Sequence, residues 1–139
     1  MGRIEVVDIG NVKPEEPLCN GRYTVKVNRA EIITKDNGKQ SLSLGMVVLA
    51  GPTQPDQSPA EDRRVSDFFP LNGYETMKDG GRYSKQKLAS ALAAAQVTVD
   101  TDGFDNDEFI DKTFDIITKI KDDLDGVPQT NVTRYLAQA

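Results

Sequence analysis

The sequence predicts a mainly β protein: a five-stranded Greek-key barrel with one helix between strands three and four. Three observations carry this prediction. Residues 23–27 alternate apolar and polar side chains, and Leu42, Leu44, Met46 and Val48 stand at every second position beyond an Asn37-Gly38 turn, as in half-buried strands. Helical spacing of apolar residues occurs in one place only, at Leu88, Leu92 and Ala95. Alternation then returns over 114–121 and is followed by a second turn, DDLDGVPQ.

Taken in order, residues 1–20 form an extension with two prolines, the pair Glu15-Glu16 and a short edge strand at Ile4 to Val7. The first long strand opens at Gly21, with Tyr23, Val25 and Val27 on one face. Apolar parity then shifts to Ala30 and Ile32, which a β-bulge near Asn28 would produce. If Asp36-Asn37-Gly38 is a three-residue loop with Gly38 in the left-handed conformation, Lys35 pairs with Lys39. Ile32 then faces Leu42, Ala30 faces Leu44, Val27 faces Met46 and Val25 faces Val48. A two-residue turn would set Glu31 against Leu44 instead.

Residues 51–62 hold three prolines and read as a long solvated loop. Arg63 to Phe69 is the third strand. After a turn-rich stretch, Ser84 is placed to cap a helix running through Gln96. In the fourth strand Phe114, Ile116, Thr118 and Ile120 alternate with Asp115, Ile117, Lys119 and Lys121, and Asn131 to Leu136 pairs back as the fifth. In that last strand Arg134 falls between Val132 and Leu136, so either a bulge exposes it or Tyr135 points inward.

Composition narrows the function. The 139 residues suit one domain, 1–139. With no histidine and no tryptophan, the commonest acid–base, triad and zinc designs are closed. One cysteine, Cys19, makes no internal disulfide, which fits a reducing cytoplasm. No apolar run approaches the length of a membrane span and no cleavable leader is legible, so the Asn131-Val132-Thr133 sequon reads as accidental. Nine of the 22 acidic residues lie in two clusters, Asp100, Asp102, Asp105, Asp107, Glu108 and Asp111, then Asp122, Asp123 and Asp125; outside them 13 acids face 17 bases. A net charge of −5 is therefore compatible with a basic face. Neither acidic cluster carries the Gly and Glu spacing of a calcium loop.

Five short antiparallel strands with a long, bent first strand favour closure, and the arrangement is that of an OB-fold. The stretches GRYTVKVNRAEIITKDNGKQSLSLGMVVLAG and DKTFDIITKIKDDLDGVPQTNVTRYL resemble the first and last hairpins of small phage-encoded OB-fold single-stranded-DNA-binding proteins, over most of residues 21–136. That resemblance implies sequence-independent binding of single strands in replication, recombination or repair, with no catalysis and no cofactor. Many single-strand binders end in an acidic tail, whereas this chain ends RYLAQA.

Such binding needs a positive groove and exposed aromatic faces. The candidates are Lys35 and Lys39 at the first hairpin tip, Arg63 and Arg64 with Phe68 on strand three, Tyr74 in the following loop, and Lys119 and Lys121 on strand four. Tyr83, Lys85, Lys87 and Arg134 are further options. Lys35 and Lys39 face one another in the derived register, and like charges directly opposite are mildly destabilising, so a phosphate between them would relieve the repulsion. Expected partners are single-stranded DNA and replication or recombination proteins, with the chain a monomer or homodimer. Two other readings stay open. One is a protein-binding module that uses the acidic segment as its contact surface; the other is a magnesium nuclease built on the carboxylates of 100–111.

Overall fold

In the computed structural model, residues 2–11, 16–101 and 103–138 are described. Asp102 of the first acidic cluster and Glu15 lie outside them. Alternation produces strands where the sequence places them: β1 (Gly21–Thr34), β2 (Gln40–Ala50), β3 (Arg64–Pro70), β4 (Thr113–Asp122) and β5 (Pro128–Leu136), with α1 (Arg82–Ala95) between β3 and β4. All pairings are antiparallel, in one sheet of order β3-β2-β1-β4-β5.

The first hairpin has the derived register. Lys35 N–H donates to the Lys39 carbonyl at 2.9 Å, and Gly38 sits at φ 83°. Ile32 pairs with Leu42, Ala30 with Leu44, Val27 with Met46 and Val25 with Val48, with the register shift between Val27 and Arg29. The bulge is what lets Val27 and Ala30 both face the core. The second hairpin repeats the turn: Asp123 N–H donates to the Val127 carbonyl, and Gly126 takes φ 79°. Arg134 and Tyr135 settle their parity through a bulge as well. Arg134 pairs with Ile117 and Val132 with Thr118, which leaves Arg134 exposed while Val132 and Tyr135 are buried.

One face of the sheet buries Tyr23, Val25, Val27, Leu42, Leu44, Met46, Phe69, Phe114 and Ile116 in a single apolar cluster, which Ala91, Leu92 and Ala95 of α1 join from the side of β3, β4 and β5. At about 25 cal/mol per Å² of apolar surface, this single cluster supplies the main driving force for folding. Among the described residues, no helix is long and apolar enough to cross a membrane.

Four expectations need correction. Ile4 to Val7 forms no strand, and Ile4, Val6 and Val7 are exposed; without an apolar surface beneath, a short edge strand has nothing to hold it. The loop at 51–62 is anchored rather than wholly solvated, because Gln54 and Ala60 are buried. Gln54 accepts from Cys19 N–H at 2.8 Å and donates to the Tyr23 hydroxyl at 3.0 Å. Ser84 does not cap the helix. Asp79 accepts from the backbone N–H groups of Gly81 and Tyr83, at 2.9 and 2.8 Å, so the helix starts earlier and Lys85 and Lys87 lie further along it.

The fourth correction concerns the barrel. β3 and β5 are the two ends of the strand order, and among the described residues no ladder joins them. Side chains occupy that seam instead. The Tyr135 hydroxyl donates to Asp67 Oδ2 at 2.5 Å, and Lys87 Nζ lies 2.7 Å from the same oxygen. The Tyr135 ring packs 5.6 Å from Phe69 and 5.7 Å from Phe114. Rings of this size hold the two edges beyond the ~4.8 Å spacing that a backbone ladder requires.

Replacing Tyr135 by Phe keeps the ring and removes one hydrogen bond to a carboxylate, so it should cost about 1–3 kcal/mol in urea unfolding. Asp67→Ala should cost more, because it strands both the hydroxyl and the largely buried Lys87 ammonium. Burial, then the neighbouring Asp67 charge, pushes the Tyr135 phenol well above its ordinary 10.0. Burial and the Cys19 contact push Tyr23 up to about 12. A raised phenol favours the neutral form in the fold. Its stabilisation is therefore complete below pH 10 and is lost as pH rises through the folded values. The urea midpoint should stay level between neutrality and about pH 9, then fall above about pH 10, less steeply in Tyr135→Phe.

Candidate nucleic-acid interface

The face of the sheet turned away from the core is set by strand alternation. On β3, Val65 and Phe69 point inward while Arg64, Ser66 and Phe68 point out. Adjacent phenylalanines cannot both be buried on one strand; here Phe69 is fully enclosed and Phe68 is 56% exposed. An exposed ring on a sheet face is available for stacking, and its position is fixed by the backbone beneath it. Asp67 adds to this, because its Oδ1 accepts from the Phe68 N–H at 2.9 Å.

Reading across the pairings, Ser66 lies beside Gly45 and Gly45 beside Arg29. The next row is Phe68, Ser43 and Glu31. Asn28, Arg29, Gly45, Arg64 and Ser66 line a groove of about 310 Å³. Its floor is Gly45. A Cβ there would come within 3.0 Å of Asn28 Oδ1 and 3.2 Å of Arg29 Cβ, so glycine keeps the floor open where the bulge crowds it. The Arg29 guanidinium crosses β2 to donate to Ser43 Oγ at 3.1 Å, one strand from Phe68. Among the described residues, neither Arg29 nor Arg64 is in an ion pair. Two guanidinium groups and an exposed ring thus share one surface.

Arg29 was not among the residues singled out in the sequence. The signals for it were present: a parity shift at Asn28 and a glycine in the middle of β2, each a mark of close backbone approach.

The other candidates are dispersed. Lys35 and Lys39 are exposed at the tip beyond the C-terminal end of β1. Asn72 braces that tip, accepting from Gln40 N–H at 2.9 Å and donating to the Gly38 carbonyl at 3.1 Å. Lys119 and Lys121 pair with Asn131 and Gln129 on β4, beyond the other end of β1, where Gly21 meets Thr118. The turn next to them carries Asp122, Asp123 and Asp125, so that loop is acidic where the first is basic. Arg63 precedes β3 and donates to the Glu16 carbonyl, away from the groove. Tyr74 is half-buried: its hydroxyl donates to the Pro70 carbonyl at 2.5 Å, and Lys85 Nζ covers one ring face at 4.8 Å. Lys87 is engaged with Asp67.

The acidic stretch is folded rather than tail-like. Asp105 caps the short 3-10 helix Asn106–Phe109 through Asp107 N–H, and Asp100 accepts from Gly103 N–H. Asn106 donates to the Ala30 carbonyl at 2.7 Å, and Asp111 N–H to the Val27 carbonyl at 2.9 Å. The stretch therefore flanks β1 at its bulge, and Asp111 lies 3.6 Å from Lys26. Among the described residues, no group of three or more carboxylate or cysteine side chains is placed to hold a metal ion. No protein-family model matches the chain, and no curated protein matches it.

Proposed function

We propose that the sheet is an OB-fold barrel open along the β3–β5 seam, and that its outer β1–β2–β3 face binds single-stranded DNA without sequence preference. Strand order supports the fold reading, since β3-β2-β1-β4-β5 is the neighbour sequence of a five-stranded Greek-key barrel cut between its third and fifth strands. One observation carries the binding reading: an exposed Phe68 lies beside a glycine-floored groove with unpaired Arg29 and Arg64 at its sides. In this reading Phe68 stacks a base, Arg29 and Arg64 neutralise successive phosphates, and Lys35 and Lys39 guide the strand at the hairpin end. Lys119 and Lys121 contribute long-range attraction, reduced by the acidic turn beside them. The protein acts stoichiometrically, coating single strands during replication, recombination or repair.

Titration of a labelled oligothymidylate at two salt concentrations tests this directly. Affinity should fall as salt rises, and Arg64→Ala should lower the slope of log affinity against log salt by about 0.7, one phosphate's share. Salt-independent binding, or none, would remove the phosphate contacts. Phe68→Ala should cost about 1–3 kcal/mol at every salt concentration, since stacking is not screened. Joint Lys35→Glu and Lys39→Glu should weaken all sequences alike; unchanged affinity would take the hairpin tip out of the binding surface. Retention of a protein partner after nuclease treatment, with no oligonucleotide bound, would favour a protein-interaction module instead.

A further inference from the structure

We propose a second nucleotide subsite in the cleft between α1 and β5, so that the bound strand continues from Phe68 across the β3–β5 seam. This rests on the single-strand reading above and deepens it. The geometry begins at the seam itself. Asp67 and Tyr135 touch across it at 2.5 Å, and by alternation their chain neighbours Phe68 and Arg134 both point to the outer side, where both are exposed. An exposed ring and an exposed guanidinium therefore flank one line of contact.

Behind Arg134 lies a cleft of about 220 Å³, lined by Tyr83, Gln86, Lys87, Ser90, Arg134 and Tyr135 among others. The four α1 residues fall at the i, i+3, i+4, i+7 spacing of one helix stripe. Tyr83, Gln86 and Ser90 of this stripe are exposed and Lys87 is half-buried, and all four border the same concave space as Arg134 and Tyr135 of β5. Tyr135 and Lys87 are occupied by Asp67. Arg134 has no carboxylate partner among the described residues, and Tyr83 is 65% exposed. With Lys87 offset by Asp67, the lining carries one uncompensated positive charge on a protein of net charge −5. The cleft is below the ~300–1,000 Å³ of pockets that enclose a drug-sized ligand, so it suits one flat group rather than a whole cofactor. A base against Tyr83, with its phosphate on Arg134 and its edge bonded by Gln86, matches this lining.

Binding of two oligothymidylates, about 5 and about 16 nucleotides long, spanning the usual range of site sizes, separates the subsites. Wild-type protein should bind the longer strand more tightly. Joint Tyr83→Ala and Arg134→Ala should lower affinity for the longer strand about tenfold and leave the shorter unchanged, whereas Phe68→Ala weakens both. Arg134→Glu should act in the same direction as the joint variant, and the thermal midpoint of each variant should match the wild type, since both side chains are exposed. Wild-type affinity of the joint variant for the longer strand would overturn the subsite, as would an equal loss at both lengths. Absence of binding by the wild-type protein at either length would remove the single-strand reading and the subsite with it.

Discussion

One carboxylate ties the molecule together. Asp67 Oδ2 accepts from the Tyr135 hydroxyl of β5 and pairs with Lys87 of α1, while Oδ1 accepts from the Phe68 N–H. A β-sheet that does not close leaves two edges to be covered, and here they are brought together by side chains. The arrangement has a cost, because a largely buried ion pair loses much of its hydration. Lys87 offsets part of that loss by lying 5.3 Å over the Phe69 ring, and the Tyr135 hydroxyl supplies a second donor to the same oxygen. Geometry is what this network provides over a hydrophobic contact of equal size: it aligns β3, β5 and α1 at one point, and it fixes the backbone from which Phe68 projects.

The hairpins were legible because their constraints are local. A glycine in the left-handed conformation sets the loop length, the loop sets the register, and the register must put apolar residues opposite apolar ones. Those three conditions leave one pairing for β1 with β2, bulge included. The seam was not legible. Asp67 and Tyr135 are 68 residues apart, and alternation assigns each a face without saying that the faces meet. The helix start failed for a related reason: Ser84 has the right chemistry for a cap, but Asp79 accepts from the Gly81 and Tyr83 amides, ahead of those a Ser84 cap would serve, from a turn built on Gly80 and Gly81, both at positive φ. As for the site, Phe68, Arg64 and the hairpin lysines were named from the sequence. Arg29 was hidden by the bulge that turns it outward, and the wide separation of the lysine pairs was invisible because it depends on how far β4 overhangs β1.

Charge is distributed differently from a simple basic face opposed to an acidic one. The acids at 105–111 sit alongside β1 at the bulge, near the groove rather than at a distant pole, and Asp105 serves as a local cap that organises the loop. Lys26 and Arg22, which share the outer side of β1, are engaged by Asp111 and Asp115 respectively. The outer face is thus partly neutralised, and Arg29 and Arg64 stand out because no carboxylate among the described residues answers them. A polyanion approaching this protein meets weak overall repulsion, so affinity for one would rest on local contacts, at those guanidinium groups, the Phe68 ring and the hairpin lysines, rather than on net charge.

The adjacent phenylalanines make the same point from the apolar side. Burying Phe69 is what sheet formation requires; exposing Phe68 is not. A residue on the solvent side of β3 could be threonine or serine at no loss to the core, and Ser66 two positions earlier is the polar choice. An exposed ring here keeps apolar surface in water, at about 25 cal/mol per Å² left unburied, and on an end strand of the sheet it adds to the risk of edge-to-edge association. The fold does not need that ring and is slightly penalised by it. Stability alone gives no reason for that ring, and its place on a backbone that Asp67 holds, on the same face as Arg29 and Arg64, is the arrangement that the proposed stacking role requires.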